Sequence, residues 1–99
     1  MTHRIKLERR AAAEIETARN WWLDNRPAAP TAFDEELERA FEMIRSLPHA
    51  GQPIDDPDEP EQRRIFLPRV RYHLYYRVTD DAVEVRALWH ASRGTGPDL

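Results

Sequence analysis

Apolar and polar residues change their period along this chain, and the changes mark its elements. Residues 3–7, HRIKL, alternate. Ile5 and Leu7 would face one way, Arg4 and Lys6 the other, as in a short half-buried strand. From about Arg9 to Asn25 the period becomes helical. Ala11, Ala12, Ala13, Ile15, Ala18, Trp22 and Leu23 form a stripe, and Asn25-Arg26-Pro27 ends it. A second helix opens near Thr31, whose hydroxyl is placed to cap free amides with Asp34 three residues on. Phe33, Leu37, Phe41, Ile44 and Leu47 line one side of it. Glu35, Glu36, Glu38, Arg39 and Glu42 line the other, and Pro48 stops it. Residues 48–62 hold four prolines, one glycine and five acids, which predicts a loop. Strand patterns follow at about 63–67, 70–79 and 82–90, with Thr79-Asp80-Asp81 suited to the turn between the last two.

The order is therefore β-αα-βββ, an α+β fold. A helical hairpin covers one face of an antiparallel sheet, the last three strands form a meander, and the first strand joins the same sheet. A length of 99 residues fits a single domain spanning 1–99, with 94–99 expected to be a flexible tail.

Alternation then divides the strands. Val70, Tyr72, Leu74, Tyr76 and Val78 belong beneath the helices; Arg71, His73, Tyr75 and Arg77 belong on the open face. In the last strand Val83, Val85, Ala87 and Trp89 form one set, and Glu84, Arg86, Leu88 and His90 the other. Arg93 extends the open face past the strand end.

Charge sharpens this picture. The chain carries a formal net charge of −3, yet residues 63–77 contain five arginines and no acid. Residues 1–60 hold 8 basic and 13 acidic side chains, residues 61–99 hold 7 and 5, so the excess of positive charge belongs to the sheet. A solvated sheet face with cross-strand ion pairs accounts for such a pattern. So does a surface that grips an anionic partner, because arginine binds phosphate and carboxylate in two-pronged fashion. An overall pI near 5.8 argues against broad nucleic-acid binding, and no direct sequence-specific contact with nucleic acid is expected.

Several chemistries are disfavoured. With no cysteine there is no thiolate metal site or disulfide framework. His3, His49, His73 and His90 are scattered, the acids at 55–61 lack a calcium-loop glycine, and no metal or cofactor is expected. No apolar run nears the ~20 residues that span a bilayer, and residues 1–10 have no signal-type apolar core, so a cytoplasmic location is expected. Trp21 and Trp22 cannot both lie in one helical stripe. Trp22 fits the core, which leaves Trp21 as a packing residue of the hairpin or as an anchor for a partner.

The first helix AAAEIETARNWW, the second FDEELERAFEMIRSLP, and the segment RRIFLPRVRYHLYYRVTDDAVEVRALWHASR occur in an order that resembles the RelE/ParE superfamily of type II toxins. The close His90-Ala-Ser-Arg93 is similar to the H-x-x-R ending of the ParE branch. The resemblance implies the fold just described and a cognate ParD-like antitoxin in a hetero-oligomer. It implies either of two activities. ParE-like members inhibit DNA gyrase, stabilise plasmids and are not enzymes. RelE-like members are ribosome-dependent endoribonucleases, usually with a C-terminal tyrosine. No tyrosine follows Tyr76 here, which favours the ParE branch. On that reading Arg64, Arg71, His73, Tyr75, Arg77, Arg86, His90 and Arg93 form the target- or antitoxin-binding face, with Trp21 as a candidate antitoxin anchor. On the nuclease reading Arg64, Arg71, Arg77 and Arg86 would stabilise the phosphorane charge, with His73 or His90 as acid or base. A third reading is a relative whose toxicity has decayed.

Overall fold

The computed structural model describes residues 3–94 and 96–99. Strand β1 (Arg4–Leu7) leads into helix α1 (Arg9–Asn25), and the link 26–31 into helix α2 (Ala32–Ser46). A single 3-10 turn, Pro48–Ala50, precedes the two-residue strand β2 (Gln52–Pro53). Strands β3 (Gln62–Leu67), β4 (Tyr72–Val78) and β5 (Ala82–His90) complete the sheet, and Ala91–Arg93 form a last 3-10 turn. The sheet order is β1-β5-β4-β3-β2. β2 with β3, β3 with β4 and β4 with β5 pair antiparallel. β1 pairs with β5 in parallel, with Ile5 opposite Val83, so the sheet is mixed rather than wholly antiparallel.

The helical stripes meet the sheet where alternation places them. Ala11, Ile15 and Ala18 of α1 and Phe33, Leu37, Ala40 and Ile44 of α2 are buried against Leu67, Leu74, Tyr76, Val83 and Val85. At ~25 cal/mol per Å², full burial of each large aliphatic side chain is worth about 1.5–3 kcal/mol. Tyr76 is wholly buried but keeps its hydroxyl satisfied. It donates to the Pro48 carbonyl at 2.8 Å and accepts from the Gly51 amide at 2.8 Å. A Cβ at Gly51 would stand 2.4 Å from that hydroxyl and 2.8 Å from the Arg64 carbonyl, so only glycine fits this approach.

Several expectations need correction. Leu23 and Leu47 stand on the expected apolar stripes but are exposed, Leu47 because it lies beyond the last turn of α2. Thr31 precedes α2 without capping it, since its hydroxyl donates to the Glu35 carboxylate at 3.2 Å instead. Glu36, expected on the solvent face, is 3% exposed. Its carboxylate accepts from the Arg69 amide at 3.2 Å and from Arg39 at 2.9 Å, and so ties α2 to the β3–β4 turn. The proline-rich loop contributes β2 to the sheet. In the expected tail, Gly96 lies against Tyr75, where a Cβ would come within 2.7 Å of the hydroxyl. Thr95 of that tail lies outside the described residues.

Candidate functional site

The open face is built from β3, β4 and β5, whose pairings fix its rows. Phe66, His73 and Trp89 form one row, since Phe66 pairs with His73 and His73 with Trp89. Arg64, Tyr75 and Ala87 form the next. Gln62, Arg77 and Glu84 form the lowest.

Ala87 and Trp89 are on this face because β5 is irregular. Tyr75 pairs with Ala87 but Tyr76 pairs with Val85, which leaves Arg86 as an extra residue. An extra residue reverses the facing of everything beyond it. Strict alternation predicts Val85, Ala87 and Trp89 together and Arg86, Leu88 and His90 opposite. The structure instead buries Leu88 in the core beside Leu74. His90 is turned to the helix side, where its ring meets Tyr72 edge-on at 4.9 Å. His73 and His90, expected to share a face, therefore lie on opposite sides of the sheet.

Arg71 is also displaced from its expected position. It is not a strand residue but closes the β3–β4 turn with φ 65°, in the left-handed region that non-glycine residues seldom enter. Its amide donates to the Leu67 carbonyl at 2.7 Å and its carbonyl accepts from the Ala91 amide at 2.8 Å, which hold the turn. From there its guanidinium lies 5.9 Å from the Phe66 ring centre. At the other end of the same row the Arg93 guanidinium sits 3.7 Å over Trp89. The row thus reads Arg71, Phe66, His73, Trp89, Arg93, with a cation at each end.

The sequence shows no acid between residues 63 and 77; the fold brings acids from elsewhere. Arg77 donates to Glu84 (Nε to carboxylate, 3.0 Å) and to Glu59 at 3.1 Å. Glu84 is held below the usual carboxylate range, chiefly by the hydrogen bond from Arg77. Arg86 pairs with Glu8 and with Glu59, each at 3.3 Å, and donates to Gln62 at 2.8 Å. Glu59, from the acidic loop, therefore bridges both arginines. Arg69 pairs with Glu35 at 3.4 Å. Arg63 lies on the helix side and donates to the Gly51 carbonyl at 2.9 Å. Among the described residues Arg64, Arg71 and Arg93 have no carboxylate partner. Arg64 reaches only Gln52 at 3.3 Å and the Tyr75 hydroxyl at 3.4 Å.

Two polar atoms of the upper row are buried with no partner among the described residues: Nδ1 of His73 and Nε1 of Trp89. Burial, and secondarily the charge of Arg64, lowers the His73 pKa, so its ring is neutral near pH 7. Trp21 stands apart from this face. It is 47% exposed at the far end of α1, with the Arg26 guanidinium 5.3 Å from its ring. Phe66 and Trp89 belong to the upper row although sequence reasoning did not name them as site residues. Phe66 was legible from alternation in β3, but Trp89 was not, because the extra residue at Arg86 gives no local signal. No cluster of three metal-type ligands occurs among the described residues, and no helix is long and apolar enough to cross a membrane.

Residues 5–94 match the family described as ParE toxin of type II toxin-antitoxin system, parDE. No curated protein matches the chain by sequence. Among solved structures, the chain is similar to the chromosomal ParDE system from P. aeruginosa, at 16% identity and TM-score 0.73, covering 92% of this chain and 98% of that one. It is similar to the E. coli DinJ-YafQ toxin-antitoxin complex, at 11% identity and TM-score 0.70, covering 97% and 100%. It is also similar to the YoeB dimer from Staphylococcus aureus, at 12% identity and TM-score 0.55, covering 91% and 98%. The three share its fold. With nearly the whole chain matched by one family, it belongs to the ParE toxins of the RelE/ParE superfamily.

Proposed function

We propose that this ParE-family chain is a non-enzymatic toxin that binds and inhibits DNA gyrase in the cytoplasm, and that a cognate ParD-like antitoxin holds it silent. One observation carries the choice of binding over cleavage: the extra residue at Arg86 puts His73 and His90 on opposite sides of the sheet. Cleavage of a phosphodiester needs a base and an acid flanking one phosphate, within hydrogen-bond reach of it. Two histidines separated by the sheet cannot serve one phosphate. Charge points the same way. Arg77 and Arg86 are ion-paired with Glu59, Glu84 and Glu8, so two of the four candidate phosphate-stabilising arginines are already committed. Arg64, Arg71 and Arg93 keep uncommitted charge, which suits contact with an acidic protein surface.

Supercoiling by purified gyrase tests this reading. Toxin freed from antitoxin is expected to abolish supercoiling at modest excess. Full gyrase activity at a large excess of correctly folded toxin would sink the proposal.

A ribosome-dependent endoribonuclease is the second reading, favoured by the neighbouring Arg64, Tyr75 and His73 on one face. It predicts codon-positioned cuts in translated mRNA, visible by primer extension. Single alanine substitutions separate the two. Loss of Arg64 from a nuclease should cost orders of magnitude in rate, whereas a binding surface should lose about 1–2 kcal/mol per contact. A chain that neither inhibits gyrase nor cuts mRNA would be a decayed relative.

A further inference from the structure

The middle row of the open face is not open. Arg64, Tyr75 and Ala87 make that row on the side of the sheet away from the helices, where a sheet covered on one side meets water. Tyr75 is nevertheless only 5% exposed. Residues beyond β5 lie over it. Gly96 approaches the Tyr75 ring so closely that a Cβ there would stand 2.7 Å from the hydroxyl and 3.4 Å from Cζ. Two residues on, the Asp98 carbonyl accepts from the Arg10 guanidinium, in the first turn of α1. Residues 96–99 wall a hollow of about 510 Å³ that Gln62, Arg64 and Tyr75 also line.

The backbone is built both to send the chain there and to release it. Gly94 ends the last 3-10 turn at φ 75° and ψ −130°, a conformation that residues with a Cβ avoid. An added Cβ at Gly94 would meet nothing within 4 Å, so this glycine serves the turn of the backbone and not packing. Beyond it the fastening is light. Residues 96–99 belong to no helix or strand, and among the described residues the Arg10 contact is the one hydrogen bond that holds them. Arg10 is divided between that carbonyl and Glu14, at 3.3 Å. A segment with one exposed hydrogen bond and no ladder opens at low cost. Its position matters for binding. Arg64, Arg71 and Arg93 are the cations of this face with no carboxylate partner among the described residues. Arg71 and Arg93 stand at the ends of the upper row, while Arg64 is the one in the hollow walled by the tail.

We infer that residues 96–99 form an intramolecular strap, hinged at Gly94, that occupies the middle row in the free chain and must lift before a macromolecule can reach Arg64 and Tyr75. The inference goes beyond the proposed function, because it concerns the free chain and holds whichever partner the face serves. A chain with the strap down cannot bind at this row. Apparent affinity is therefore the intrinsic one scaled by the fraction of chains with the strap raised.

Nitration by tetranitromethane, located residue by residue with mass spectrometry, tests the strap without any partner. Wild type is compared with Gly96→Val, with Arg10→Ala, with a chain ended at Gly94, and with Arg9→Ala as a control on the same turn of α1. Tyr76 is wholly buried and reports folding, since it should stay unmodified in every variant. We expect Tyr75 to react at least about tenfold faster in Gly96→Val and in the shortened chain. Arg10→Ala should raise the rate by less, and Arg9→Ala should match wild type. Equal Tyr75 rates in wild type and the shortened chain, with Tyr76 protected in both, would overturn the inference. Stopped-flow association with purified gyrase is the second arm. The shortened chain should bind at least about threefold faster than wild type. Equal association rates with Tyr75 unmasked would overturn the need for the strap to lift. Failure of both chains to bind gyrase, with Tyr75 unmasked, would overturn the gyrase reading and leave the strap standing.

Discussion

Single atoms decide much of what this small fold can tolerate. The Tyr76 hydroxyl is fully buried and is both donor and acceptor, to Pro48 and from Gly51, so it closes the segment after α2 onto the sheet. Tyr76→Phe leaves a buried amide and a carbonyl unpaired, which should cost about 1–3 kcal/mol. For a domain of this size that is roughly 4–8 °C of melting temperature per kcal/mol, readable by thermal denaturation. Gly51→Ala should cost more, because its Cβ would also strike the Arg64 carbonyl, which cannot swing aside. His73 makes a second prediction at this scale. Its folded pKa lies below the ordinary value of about 6.5 because burial disfavours the imidazolium. The unfolded chain therefore binds the proton more readily, and stability falls as pH drops from about 6.5 toward the lower folded value. His73→Gln should flatten the stability profile across that window in urea titrations at stepped pH. An unchanged slope would mean that the ring is more solvated than its buried Nδ1 implies.

Among the elements, helix α2 shows both what sequence can reveal and what it hides. Its apolar stripe announced the buried Phe33, Leu37 and Ile44, because a 3.6 period requires no knowledge of the partner. Glu36 was invisible by the same logic, since its reason for burial is the Arg69 amide thirty-three residues away. Glu36→Ala should destabilise by about 1–3 kcal/mol, and Glu36→Gln by less, because a glutamine oxygen can still accept from that amide. Equal losses in denaturant unfolding would show that Arg39 pairing, not the turn, is what matters. The strands divide in the same manner. The covered side of β4, with Leu74 and Tyr76, could be read from alternation alone. The upper half of β5 could not, because one added residue at Arg86 inverts Ala87, Leu88, Trp89 and His90 without altering the local pattern. Nothing in RVRY marks a left-handed turn, so alternation alone places Arg71 in a strand rather than in the turn it closes. The parallel pairing of β1 with β5 joins residues nearly eighty positions apart and leaves no trace in either segment.

Over the whole molecule, the acidic N-terminal portion does not stay apart from the arginines of the sheet. Glu59 folds back from the loop onto Arg77 and Arg86, and Glu8 reaches Arg86 from the start of α1. The lower half of the open face is thereby neutralised by the chain itself, while Arg64, Arg71 and Arg93 at the upper half keep their charge. An anionic partner should thus meet the upper half first, and the loop acts as an intramolecular competitor for the rest. Glu59→Gln tests this division. Removing one carboxylate that bridges two arginines should raise the association rate with an acidic antitoxin in low salt, because steering follows the uncompensated charge. The gain should be clear near 0.01 M salt, where the Debye length is about 30 Å, and vanish near 1 M, where it is about 3 Å. Stability should fall only modestly although these pairs are part-buried, since Arg77 and Arg86 keep Glu84 and Glu8 as partners. Stopped-flow rates at the two salt concentrations decide the matter. An unchanged low-salt rate would mean that Arg77 and Arg86 serve only to hold the acidic loop, and that the partner surface ends at the row of Arg64 and Tyr75.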